Sequence, residues 1–289
     1  MSASPKRTSV PRQNYARFRA LLRARSRDRR FDVFSASMPA IVITLALLAA
    51  GLGLLALFAD THVLEIRAGL PEAVRPVFEF FSWLGEGILV YVLCLVMVLV
   101  SLVRDLSTQT PRARVHDLTR VAASLYVFWA VVVAGLVAGL LKFIIGRARP
   151  RLFDQVGPYA FDMFGPDSAW ASFPSGHTTT VMSCAMAFAL LVPRWRVAIL
   201  VAGVAVSFGR VATGAHYPSD ILGGVALGAL VSWLFARALA RRRIVFRFDG
   251  AGRLKPLHYL GRAFSLRGAA AEETPLPRGE GGRRGSAAG

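Results

Sequence analysis

The chain has 289 residues, of which 54% are hydrophobic and 18% charged, whereas an average soluble domain is about 25% charged. Its apolar residues collect in blocks and its net charge of +18 gathers at the two ends, which argues for a membrane protein and against a soluble domain. Residues 1–37 hold ten Lys and Arg against Asp28 and Asp32, and residues 237–289 hold twelve against four acids. Basic flanks on an apolar body are what cytoplasmic ends of a membrane protein carry, so they read as contacts for anionic lipid and not for nucleic acid.

In chain order, the N-terminal arm comes first. Tyr15, Phe18, Leu21 and Leu22 lie among its arginines, a spacing that suits either a basic amphipathic helix on the membrane surface or an arm without fixed structure. Six apolar runs then follow, at about Met38–Ala59, Gly87–Val103, Val121–Ile145, His177–Val192, Val197–Val211 and Asp220–Leu239. A hydrocarbon core takes about 20 residues of helix, and open-ended segments cross it as helices because the backbone must satisfy itself there. The first run is too long for a cleaved signal and reads as an anchor. The expected fold is therefore all-α, a polytopic bundle of six transmembrane helices. Its expected parts are a basic N-terminal cytoplasmic arm at 1–37, a membrane domain at 38–240 and a basic tail at 241–289, largely without fixed structure.

The loops set the orientation. The N-terminal arm, Arg104–Arg120, the turn at Arg194 and Arg196, and the tail are basic, whereas Asp60–Trp83 has Arg67 and Arg75 against four acids. Six spans then put both termini in the cytoplasm and the loop 146–176 on the opposite face. Arg147, Arg149 and Arg151 break that rule, and Lys142 lies deeper still, in the end of the third run. Ionisable groups at such depth are costly and usually functional. For Arg147 and Arg151, pairing with Asp154, Asp162 or Asp167 is an equal reading.

Three short stretches carry the chemistry. In the first, Lys142 and Arg149 are seven residues apart, about two helical turns, with Pro150 as a stop. A lysine point charge and a forked guanidinium are complementary phosphate ligands. In the second, Pro174-Ser175-Gly176-His177 opens the fourth run. Ser175 can cap the helix and donate its hydroxyl, Gly176 lets the backbone approach an anion, and the free N–H groups of the helix start face it. In the third, Arg210 adds a cation, and His216 stands four residues before Asp220. A carboxylate bonded to one imidazole nitrogen leaves the other as a nucleophile. Cys94 and Cys184 fall inside apolar runs and read as packing residues, while His62, His116 and His258 read as ordinary loop or tail histidines.

The pattern Lys142-x6-Arg149-Pro150, Pro174-Ser175-Gly176-His177 and Arg210-x5-His216-x3-Asp220 resembles the type 2 phosphatidic acid phosphatase (PAP2) superfamily, over about residues 38–240. The resemblance implies that His216 attacks phosphorus to form a phosphohistidine and that Asp220 orients it. His177 would protonate the leaving oxygen and then activate water. Lys142, Arg149, Arg210, Ser175 and the Gly176 N–H would hold the phosphoryl oxygens. One position departs from the family pattern: Gly209 stands where a serine is usual, with Ser207 nearby.

The expectation is thus a lipid-phosphate phosphatase needing no metal and no cofactor, in a bacterial inner membrane, with its site facing the periplasm. Phosphatidic acid, phosphatidylglycerol phosphate, undecaprenyl diphosphate and a lipid A phosphate all qualify as substrate. Phosphotransfer through the same intermediate, or lipid binding and transport without catalysis, are the alternatives. The aromatic loop with Phe153, Tyr159, Phe161, Met163, Phe164 and Trp170 serves either to select the head group or to anchor the loop at the interface.

Overall fold

The structure, a computed structural model, describes residues 37–84, 88–103 and 110–257, together with 10–13, 15, 16 and 19 of the N-terminal arm, which are helical. The rest of the arm and residues 258–289, with most of the expected tail, lie outside the described residues.

The apolar runs become helices. These are α1 (Met38–Phe58), α4 (Ile88–Val103), α5 (Pro111–Ile145), α7 (Gly176–Leu191), α8 (Arg196–Ala212) and α9 (Pro218–Arg241). Among the described residues, four helical stretches are long and apolar enough to cross a membrane: Met38–Ala68, Asp117–Ile145, Pro193–Ala212 and Pro218–Arg241. The second and fourth runs give shorter apolar helices, Tyr91–Val100 and Gly176–Leu191. The acid-bearing segment 60–83 holds two helices of its own, α2 (Val63–Ala68) and α3 (Arg75–Leu84). Phe78 of α3 stacks edge-on against Phe208 of α8, ring centroids 6.2 Å apart. A one-turn helix, α6 (Phe153–Val156), interrupts the long loop.

Packing between the helices rests on small residues. Helices in lipid gain little from apolar burial against each other, so close backbone approach matters more. Gly224 and Gly228 lie one turn apart on α9, facing α7. A Cβ at Gly224 would meet the Ser175 carbonyl oxygen at 2.8 Å, and one at Gly228 would run into the Thr179 carbonyl. On the other flank of α9, a Cβ at Gly51 of α1 would stand 3.1 Å from Leu222.

The main buried cluster lies at the bundle end opposite the three motifs. It joins the first half of α5 (Ala122, Tyr126, Val127) to the last turns of α7 and α9 (Leu191, Ala240). Cys94 belongs to it and Cys184 packs on it, both as free thiols. This end is closed by a two-stranded antiparallel hairpin, β1 (Phe246–Phe248) and β2 (Leu254–Pro256). Phe246 is fully buried and its ring meets Tyr126 edge-on at 5.1 Å. Fixed structure thus extends past the expected boundary at 240, because alternate residues of Phe246–Phe248 supply apolar side chains that the cluster buries.

Candidate active site

The helix ends bring the three stretches to one place. Helices α1, α5 and α8 finish where α7 and α9 begin, so residues from five elements converge.

The first stretch departs from the expected geometry. Lys142 is in the last turn of α5, but the helix stops at Ile145 and does not carry on to Arg149. Gly146 takes a positive φ of 60° and packs so closely that a Cβ would strike the Asp162 carbonyl, so the chain turns out of the helix there. The segment then runs extended between two loop strands. Ala148 N–H donates to Ala160 O at 3.0 Å, Arg149 N–H to Ala169 O at 2.9 Å, and Ser172 N–H to Arg147 O at 3.0 Å. Lys142 Nζ donates to the carbonyls of Ala171 and Ser172, at 2.5 and 3.4 Å, and so fixes the approach to the second stretch. Its Cε lies 3.3 Å from where a Cβ on Gly176 would stand. Arg149 is partly buried and its Nε has no hydrogen-bond partner among the described residues.

Ser175 caps α7, its Oγ accepting from Thr178 N–H at 3.4 Å. His177, in the first turn, keeps a buried Nε2 with no hydrogen-bond partner among the described residues. It lies within electrostatic range of Arg210, in the last turn of α8, and of His216. The hydroxyl of Ser207 donates to Gly203 O at 2.7 Å, back along its own helix, and so does not replace the serine missing at Gly209.

The third stretch is the most buried. Tyr217 is the N-cap of α9, Pro218 its first residue, and Asp220 its third. An acid there accepts the N-cap N–H and suits the positive helix end. The Asp220 Oδ2 accepts from Tyr217 N–H at 3.0 Å and from Ser172 Oγ at 2.6 Å, and stands 3.3 Å from His216 Nδ1. The carboxylate is fully buried and His216 only 2% exposed. Burial pushes the His216 imidazole down to about 4, against the opposing pull of Asp220, and Lys142 and Arg149 press in the same direction as burial. His216 is therefore neutral at pH 7, with Nδ1 on Asp220 and Nε2 as its other nitrogen.

Two residues that sequence reasoning left out or left open complete this centre. Arg147 pairs with neither Asp154, Asp162 nor Asp167. Its Nη1 donates to Asp220 Oδ1 at 2.8 Å and its Nη2 to Asp60 Oδ2 at 2.8 Å. It lies over the Tyr217 ring, 4.2 Å from the centroid. Burial disfavours its charge, but Asp220 and Asp60 together hold the guanidinium above its ordinary value. Asp60, fully buried at the end of α1, also accepts from Ser219 N–H at 3.0 Å and from the Ser219 hydroxyl. The signal for Asp60 was present in the sequence: an acid directly after an apolar run, at membrane-edge depth. Among the described residues no group of three or more His, Cys, Asp and Glu could hold a metal ion.

In the aromatic loop, Tyr159 donates its hydroxyl to Ala56 O at 2.6 Å, and Phe164 stacks on Phe143 with centroids 5.6 Å apart. Phe161 and Met163 are exposed.

The PAP2 superfamily model matches residues 123–244, the segment that holds all three stretches. A lipid A 1-phosphatase of Rhizobium etli is 37% identical over 182 residues, which cover 63% of this chain and 78% of that one. The chain belongs to the PAP2 superfamily. A second relative, a lipid A 1-phosphatase of Rhizobium johnstonii, is 44% identical over 144 residues, 50% of this chain and 59% of its own length. An undecaprenyl-diphosphatase of Sulfolobus acidocaldarius is 32% identical over 104 residues, 36% of this chain and 48% of that one. Among solved structures, a transmembrane PAP2-type phosphatidylglycerolphosphate phosphatase from Bacillus subtilis aligns with 78% of this chain and 93% of its own, at 18% identity and a TM-score of 0.43.

Proposed function

We propose that this PAP2 protein is a lipid-phosphate phosphatase that works through a phosphohistidine on His216, with the 1-phosphate of lipid A as its substrate. The observation that carries the reaction is a buried His216 with Nδ1 3.3 Å from Asp220 Oδ2, in electrostatic range of Lys142 and Arg149. His216 Nε2 attacks phosphorus as the bond to the lipid oxygen breaks, and His177, protonated once the bound phosphate anion offsets the cations around it, gives that oxygen its proton. Water then attacks phosphorus, His177 takes a proton from it, and the P–N bond breaks to free His216 and inorganic phosphate. Lys142, Arg149, Arg210, Ser175 and the Gly176 N–H hold the phosphoryl oxygens as charge redistributes. The Nε2 of His177 and Nε of Arg149 support these roles, since each is a buried polar atom with no hydrogen-bond partner among the described residues.

The substrate reading rests on the two Rhizobium relatives. A polyprenyl diphosphate is the second reading, favoured by the undecaprenyl-diphosphatase match. Either substrate keeps its chains in lipid and lifts a phosphate to the helix ends. With six spans and cytoplasmic termini, the site opens to the periplasm of a bacterial inner membrane, and the basic ends lie against anionic lipid.

The test is phosphate release from purified protein in detergent with chelator. The panel is lipid A, undecaprenyl diphosphate, phosphatidic acid and phosphatidylglycerol phosphate. Wild type should release inorganic phosphate fastest from lipid A, and His216→Ala and His177→Ala should each abolish it. Release undiminished in both variants would sink the enzyme reading, and a phosphorylated acceptor in place of inorganic phosphate would make the protein a phosphotransferase.

A further inference from the structure

We infer that Asp60 is a positioning residue for this reaction: through Arg147 and Ser219 it holds the Asp220 carboxylate and keeps its charge available to His216. The inference rests on the phosphohistidine reading. It extends the site to the end of α1, outside the segment 123–244 that the family model matches.

The geometry is a closed network. Arg147 Nη2 donates to Asp60 Oδ2 at 2.8 Å, and Nη1 donates to Asp220 Oδ1 at 2.8 Å and to Ser219 Oγ at 2.7 Å. The Ser219 hydroxyl, having accepted from Arg147, donates to Asp60. Arg147 is further pinned by its Nε, which donates to Pro158 O at 3.2 Å, and by the Tyr217 ring beneath it. With Oδ1 of Asp220 so engaged, its carboxylate plane is fixed and Oδ2 is left for His216 Nδ1 and Ser172.

A second ionised acid at this depth is expensive, and joining α1 to α9 does not require one, since Gly51 already packs on Leu222. Charge supplies the reason. When His216 bonds to phosphorus through Nε2 it keeps the Nδ1 proton, so the ring becomes cationic. The groups facing it are Asp220 from α9, Lys142 from α5, Arg149 from the extended segment, His177 from α7 and Arg210 from α8. Of these only Asp220 is anionic. Arg147 shared between two carboxylates leaves that cluster with one net negative charge. Without Asp60, the whole guanidinium charge would fall on Asp220 and cancel it, removing the counter-ion of the phosphohistidine.

The deciding variant is Asp60→Asn in the full chain, assayed on the best lipid of the panel. Loss of one charge at this separation should lower kcat on the order of tenfold to hundredfold with KM within about twofold. The acid limb of kcat/KM should also move to lower pH, because protonated His216 loses a negative neighbour. A purely structural role would reduce the folded fraction and leave that limb in place. Ser219→Ala, which keeps every charge and removes one link, should lower kcat several-fold without moving the limb. Folded Asp60→Asn with wild-type kcat, or with the limb unmoved, overturns the inference. If Asp60→Asn yields no monodisperse protein, Ser219→Ala decides alone: lower kcat at unchanged KM supports the inference, wild-type kcat overturns it. Wild-type protein that releases no phosphate, or an active His216→Ala, would sink the phosphohistidine reading itself, whereas active wild type, inactive His216→Ala and fully active Asp60→Asn sink only this step.

Discussion

The backbone N–H of Ser175 donates to the carbonyl of Asp220 at 3.1 Å, tying the residue that caps α7 to the residue that closes the cap of α9. Two helix N-termini thereby converge, each with a positive dipole end. Only short backbone contacts allow this. Gly224, one turn on from Asp220, sits against the Ser175 carbonyl, and Gly228, one turn further, sits against Thr179.

That seam predicts a sharp dependence on glycine. At Gly228 an added Cβ would meet backbone on α7, including Ser183 N at 2.8 Å, so helices must part. Gly228→Ala should cost about 1–3 kcal/mol, the range for overpacking a tight core. Gly139, within α5, has nothing within 4 Å of an added Cβ. Gly139→Ala should therefore be neutral or slightly stabilising. Thermal unfolding of both variants in detergent checks this; equal midpoints would refute the seam.

The burial of His216 predicts an acid-linked loss of stability. Its ordinary value is 6.5 and burial brings it to about 4 in the fold. A depressed folded value means that protons bind the unfolded chain more tightly. The contribution is full above pH 6.5 and is lost progressively as pH falls toward 4. Wild-type melting temperature should then fall between pH 6.5 and 4.5 by more than that of His216→Gln, which lacks the titrating ring. Parallel curves would show that His216 is not held neutral by the fold.

How much of this was legible in the sequence follows from where each interaction lies. Lys142, Arg149, Ser175, His177, Arg210, His216 and Asp220 stand out as candidates because costly residue types sit in short local stretches at the ends of apolar runs. The helices were readable for the same reason, through hydropathy. Asp60 was not assigned a role, because its partner Ser219 is 159 residues away and no local pattern joins them. Arg147 is ambiguous in the sequence because its choice between loop acids and Asp220 depends on the turn at Gly146. The hairpin was missed because Phe246 and Phe248 are two apolar residues in a basic tail, and only the exposed core at the end of the bundle gives them a place.

Lys142 combines two tasks. It fixes the Ala171 and Ser172 carbonyls, and its charge faces the site shared with Arg149 and Arg210. Lys142→Met keeps the stem and removes the charge and donors. Loss of one such donor typically lowers kcat by about 100- to 1,000-fold. The same drop is expected here on lipid phosphate, with little change in melting temperature. A variant that keeps kcat but raises KM would assign Lys142 to ground-state binding alone.

Phe246 allows fold and chemistry to be tested apart. It is fully buried against Tyr126 at the end of the bundle away from His216, and the Tyr126 hydroxyl reaches Ser232 O on α9 at 3.1 Å. Phe246→Ala removes a ring from this closed end, a change that costs about 3–5 kcal/mol in well-packed cores. Because Ser175, His216 and Asp220 are held by contacts among themselves and with Arg147, the folded fraction should retain wild-type kcat. Activity normalised to folded protein, beside the melting temperature, checks both halves. A fall in normalised kcat would mean that the hairpin sets the register of α9 through to its first turn, and that the two ends of the bundle are coupled.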